Sequence, residues 1–186
     1  NTTGEKNCAF GYNAVGLTTT GSYNVGIGHS SLMFNTTGAQ SVAIGYEAVK
    51  TTTSNGQITG VGYNALKLAT GTHNTALGAF AGDAISTGEG NTALGRGALG
   101  SLTTGHNNIG IGRGATASAV DVSNEITLGD TNITKFRIPG LNFVIKDSTA
   151  TEDYVLTVDS NGDAGWEAAG GAGTGESYVK FKNNSG

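Results

Sequence analysis

Tyr12, His29, Tyr46 and Tyr63 follow one another at intervals of 17 residues, and Arg96 and Arg113 resume the series after Ala79. A column of aromatic and cationic side chains at a constant interval can stack on sugar rings, because both kinds of group present a flat face to an apolar ring surface. The same column can equally stack on itself, since aromatic neighbours on adjacent strands stabilise a sheet without any ligand. Self-stacking is the expectation for Tyr12, His29, Tyr46, Tyr63, Arg96 and Arg113, with glycan contact as the second reading.

Other constellations are weaker. Asp159-Ser160-Asn161-Gly162-Asp163 places oxygens at alternate positions, as a calcium loop does. Ala164 stands where such a loop needs its glycine, and Gly170 where it needs its bidentate Glu, so a hairpin turn is expected instead. His29, His73 and His106 fall at three different places in the repeat, so one chain cannot gather them around a metal; exposed turn residues are expected. Gly26-Ile27-Gly28 and Gly110-Ile111-Gly112 look like phosphate-binding glycine runs but lack the helix that such a loop opens. No Ser/His/Asp set, Cys/His pair or isolated carboxylate pair stands out. The expectation is no enzyme, no cofactor and no metal.

The elements that must position these residues come from one repeat. A glycine recurs at Gly11, Gly28, Gly45, Gly62, Gly78, Gly95, Gly112 and Gly129, with spacings of 17, 17, 17, 16, 17, 17 and 17. Ahead of it stands a large apolar residue: Phe10, Ile27, Ile44, Val61, Leu77, Leu94, Ile111 and Leu128. Before that stands a small one, as in Ala9, Gly26, Ala43, Gly60, Ala76, Ala93 and Gly110. Alternation with period two marks a strand. Nothing repeats at 3.6 residues, and the repeat is shorter than the ~33 residues of common helical repeats. An all-β fold is therefore expected: a parallel β-roll or β-solenoid of about eight 17-residue coils. Each coil reads as strand, glycine turn, short strand and Thr-Gly turn, so that two sheets enclose the small residues. A thin roll of this kind cannot also hide the large apolar column. That column should face a partner, and three copies closed around an axis would bury it.

Composition agrees with a fibrous element. Glycine supplies 32 of 186 residues and charged residues 13%, while Leu, Ile, Val and Phe together make about 20%, too few for an ordinary large core. Net charge is −4 with no basic run, which speaks against nucleic acid, and no apolar stretch approaches the ~20 residues of a membrane helix. The single Cys8 forbids an intrachain disulfide framework. The divisions expected are the roll over 1–135, a hairpin-rich neck or prism over 136–168, a Gly-rich linker over 169–175, and the start of a further segment over 176–186. Strands are expected at 142–146, 154–159, around Trp166 and at 177–182. Asn1-Thr2-Thr3-Gly4 recurs as Asn35-Thr36-Thr37-Gly38, so the sequence is expected to begin inside a repeat of a longer protein.

Ser41-Val42-Ala43-Ile44-Gly45 and the N-T-A-L-G copies at 74–78 and 91–95 resemble the head repeats of trimeric autotransporter adhesins. The fuller pattern N-T-A-L-G-x-x-A-L-x-x-x-T-T-G, with the exit segment Glu125-Ile126-Thr127-Leu128-Gly129-Asp130-Thr131-Asn132-Ile133-Thr134, is similar to repeats in tail-fibre and spike proteins of tailed bacteriophages. The resemblance covers about residues 1–138. It implies a trimeric parallel β-roll in a virion fibre, outside the cell, that contributes to host attachment and receptor presentation. The partners it implies are two further copies of the chain, other tail or baseplate proteins, and a host polysaccharide or protein receptor. The alternative it implies is the head of a bacterial surface adhesin that binds host matrix or glycans. A third reading, an ice-binding solenoid, rests on the threonine rows at Thr19-Thr20, Thr36-Thr37, Thr52-Thr53 and Thr103-Thr104, which lie beside turns where turn chemistry explains them better.

Overall fold

The structure, a computed structural model, describes residues 2–54, 56–135, 154–158 and 164–168. It divides into two compact units, Asn1–Phe136 and Arg137–Gly186.

In the first unit each copy of the motif forms one three-residue strand: β1 (Cys8–Phe10), β2 (Val25–Ile27), β3 (Val42–Ile44), β4 (Thr59–Val61), β5 (Thr75–Leu77), β6 (Thr92–Leu94), β7 (Ile109–Ile111) and β8 (Ile126–Leu128). They pair in sequence order as one parallel eight-stranded sheet. The chain therefore makes a β-solenoid, and eight successive strands mean about seven turns. The register sets like against like, Val25 on Val42 and Ile27 on Ile44. The 16-residue coil keeps this register, with Thr59 on Thr75. Its missing residue comes out of the threonine turn, where Ala69-Thr70-Gly71 replaces a run such as Thr18-Thr19-Thr20-Gly21.

The repeat glycine is a steric requirement. From Gly11 to Gly95 its φ lies between +123° and +141°. A Cβ there would fall within 2.7 Å of the next coil's glycine carbonyl group. Only glycine combines that backbone with so close an approach.

The expected second strand is absent, and with it the second sheet. Val15, Leu32, Val49, Leu66 and Leu99, four residues after the glycine, take left-handed backbone with φ from +49° to +52°. This opposite wall is a stack of turns joined by hydrogen bonds between coils, such as Val15 N–H to Ser31 O at 2.9 Å and Val49 N–H to Ala65 O at 2.9 Å. Left-handed backbone costs ~1–2 kcal/mol per residue. Burial of an aliphatic side chain returns ~1.5–3 kcal/mol. The pattern of small and aliphatic residues looks like a strand because the same side chains face inward. Only the handedness of the backbone differs.

The core is this aliphatic column together with Ile58, Ile85 and Leu102, all buried. The small column of the sheet, Ala43, Ala76 and Ala93 among it, packs against that core. The last coil departs from the pattern. Glu125 stands where five coils carry asparagine, Thr127 takes the small inward position, and Ile133 packs over Gly129. In the second unit, β9 (Tyr154–Val158) pairs antiparallel with β10 (Ala164–Ala168), Val158 opposite Ala164. These are the strands expected around 154–159 and Trp166. The turn at 159–163, the strands expected at 142–146 and 177–182, the linker 169–175 and the segment 176–186 lie outside the described residues.

Candidate functional site

Pleating sends the middle residue of each strand inward and the two flanking residues outward. The outward face therefore carries two columns. One is Phe10, Ile27, Ile44, Val61, Leu77, Leu94, Ile111 and Leu128. The other is Cys8, Val25, Val42, Thr59, Thr75, Thr92, Ile109 and Ile126. No strand residue of the eight is charged. Phe10 is 75% exposed, Ile126 65% and Leu77 50%. Ile27, Ile44 and Val61 are half-buried. The interior is already filled, so this apolar surface is surplus to the core of one chain.

The column that follows the repeat glycine borders this face. The structure brings its first four members together. Ring centroids lie 5.2 Å apart for Tyr12 and His29, 5.1 Å for His29 and Tyr46, and 5.1 Å for Tyr46 and Tyr63, with interplanar angles of 27°, 16° and 9°. The rings turn their faces toward one another and their edges to solvent. At His29, Tyr46 and Tyr63 a sugar packed face-on would need a ring face that a neighbour already covers, an arrangement that favours the self-stacking reading.

Phe80 extends the stack, 5.2 Å from Tyr63 and tilted by 59°, and sequence reasoning missed it. It sits one position later than the column, beside Ala79, whose methyl is too short to take part. The sequence signal was an aromatic residue adjacent to the gap in the series. Arg96 and Arg113 hold the same column position two and three coils further on, and both are exposed.

Two polar arrangements support these surfaces. Glu47, which follows Tyr46 in the chain, is buried and accepts from Lys50 Nζ at 2.6 Å and from Lys67 Nζ at 2.7 Å. The hydrogen bond from Lys50, followed by that from Lys67, holds the Glu47 carboxyl below its ordinary value of 4.5. Inside the coil, the asparagine four residues before the glycine forms a ladder that sequence reasoning left unassigned. Asn91 shows the pattern: its Oδ1 accepts from Asn108 N–H at 2.9 Å, and its Nδ2 donates to Gly105 O at 2.9 Å. Asn24, Asn74 and Asn108 repeat it, while Ser41 and Ile58 interrupt it. The signal was in plain view, since most motif copies open with Asn.

Gly11, Gly28, Gly45, Gly62, Gly78, Gly95, Gly112 and Gly129 all lie in the line of turns that ends the sheet. His29 joins the stack, whereas His73 and His106 are exposed elsewhere. His106 Nδ1 accepts from Glu89 N–H at 3.2 Å. Among the described residues no group of three or more His, Cys, Asp or Glu could hold a metal ion, and no helix is long and apolar enough to cross a membrane.

No family model matches the chain, and neither a curated protein nor a solved structure matches it.

Proposed function

We propose that this chain is a structural segment of a trimeric fibre, of the kind that carries a virion's host-attachment surface away from the particle. The observation that carries the reading is the charge-free strand face with its apolar column from Phe10 to Leu128, exposed at Phe10 and from Leu77 onward and half-buried between. A continuous apolar surface of that length on a folded element marks an interaction site. The interiors of protein interfaces are depleted of charge in the same way. Identical faces are satisfied without open-ended growth by closing a ring of copies, and three is the number that the resemblance to fibre and adhesin repeats implies. On this reading the chain works mechanically. Coils supply length, the shared face supplies rigidity, and the outer columns face the host surface.

The deciding experiment is the native mass of the full chain by multi-angle light scattering. A mass of three chains is expected. A stable monomer at high concentration would overturn the reading, and the exposed strand face would then have to serve a different ligand.

A further inference from the structure

Elsewhere in this solenoid, lysines that lie close to other groups meet a carboxylate or a ring. Glu47 takes Lys50 from its own coil and Lys67 from the next. Lys6 lies over the ring of Tyr23, 4.9 Å from its centroid, and donates to its hydroxyl at 3.1 Å. Arg96 and Arg113 are the exception. They occupy one column, one coil apart, which is about 4.8 Å of rise. Like charges directly opposite one another on neighbouring strands are destabilising. Among the described residues, neither guanidinium has an ion-pair or hydrogen-bond partner. Asp130 is next in the column and its charge is attracted to Arg113, although its oxygens accept from Asn132, the backbone N–H at 2.9 Å and the side-chain amide at 3.1 Å, and form no ion pair with either arginine.

The neighbouring position is equally unusual. In the first five coils the residue after this column carries a side chain: Asn13, Ser30, Glu47, Asn64 and Phe80, all with φ between +51° and +58°. Coils six and seven have Gly97 and Gly114 instead, at φ +67° and +65°. Five residues with side chains accept essentially this backbone, so conformation does not require glycine here. A Cβ at Gly97 would meet nothing within 4 Å. Gly97 leaves an open shelf beside the arginines, whereas a Cβ at Gly114 would come within 3.9 Å of the Asp130 side chain; the sequence of the two places is Gly95-Arg96-Gly97-Ala98 and Gly112-Arg113-Gly114-Ala115.

We propose that Arg96 and Arg113 form a two-guanidinium site for an oxyanion, a carboxylate or phosphate group borne by an acidic surface polysaccharide, which lies along the shelf of Gly97. Guanidinium groups bind both kinds of oxyanion through paired N–H donors. One anion between the two removes their repulsion and supplies the missing partners. The polysaccharide as natural ligand rests on the fibre reading above, whereas the oxyanion site itself does not.

The test is titration of the full chain, free of cells, with three probes: inorganic phosphate, a short polygalacturonate and a neutral dextran oligomer. Binding is followed by calorimetry and by the arginine Nε–H resonances. Saturable binding of phosphate or polygalacturonate is expected, and whichever binds more tightly identifies the oxyanion. Arg96→Gln with Arg113→Gln should weaken it at least about 10-fold, and each single substitution less. Gly97→Asn fills the shelf with a residue that coils one and four already hold in this conformation. It should weaken polygalacturonate binding while circular dichroism and thermal midpoint stay unchanged. No saturable binding of either anion, or affinities in the double variant within about twofold of the parent, overturns the site. If the chain proves monomeric yet binds the anion, the fibre reading falls and the site stands.

Discussion

At the scale of single residues, the asparagine ladder is the feature with the largest consequence for stability. Asn91 is buried and satisfies two backbone groups of the next coil, so truncation strands Gly105 O and Asn108 N–H away from water. A buried polar group left without its partner costs ~1–3 kcal/mol. Asn91→Ala should therefore destabilise the chain by about 2–6 kcal/mol in urea unfolding, two such groups losing their partner. Asn91→Ser should cost less, because Ser41 at the equivalent place still accepts from Ile58 N–H at 3.4 Å. A loss below about 0.5 kcal/mol for the alanine variant would show that water replaces the amide. The sequence displayed the asparagine column but not its burial or its bonds. An asparagine at the start of a motif carries no sign of burial, and only the stacking of coils brings its amide against the next one. The left-handed backbone of Val15 and Val49 was hidden for a related reason. β-Branched residues ordinarily signal extended chain, and here packing overrides that preference.

At the scale of elements, the aromatic stack and the Glu47 ion triad hold the third and fourth coils together. Tyr46 has a ring on each side, whereas Tyr12 has one. Aromatic pairs add ~0.5–1.5 kcal/mol beyond their buried area. Tyr46→Ala should thus cost about twice what Tyr12→Ala costs, measured by thermal or urea unfolding; equal losses would mean that the stacking contributes nothing. The triad predicts a pH dependence. Because the Glu47 carboxyl is held below 4.5, its contribution is complete above that value and is lost as pH falls through the lowered one. Lys67, raised above 10.5 first of all by its hydrogen bond to Glu47, gives the mirror-image loss in alkali. Glu47→Gln should flatten part of the acid limb of the stability profile. Part should remain, since hydrogen bonds from Ser118 also hold Glu125 low. The acid limb of Glu47→Gln superimposing on that of the parent would refute the assignment. At this scale the period, the glycines and the identity of the outward column could all be read from spacing. The second sheet could not, since inward-facing turns and inward-facing strands give the same alternation of small and large residues.

At the scale of the whole molecule, the trimer proposed above makes the strand face the place where folding and assembly separate. Leu94 projects from the sheet and is 42% exposed, so Leu94→Asp should leave the coils intact by circular dichroism while reducing a three-chain mass to one. Loss of the β-signal instead would mean that the coils depend on the interface. The solenoid is also a chain of near-identical units, each in contact only with its neighbours, so its stability accumulates coil by coil. The single-file hydrogen bonding has a further, mechanical outcome. Every bond between strands runs along the axis on which the coils stack, so tension applied between the two ends of the solenoid meets the coils in series. The end coil bears the load with its few bonds and yields first. Each rupture frees about 17 residues, an extended length of roughly 55–60 Å, in place of a rise near 5 Å. A lone solenoid under load would lengthen in a staircase of equal steps, dissipating work at each one.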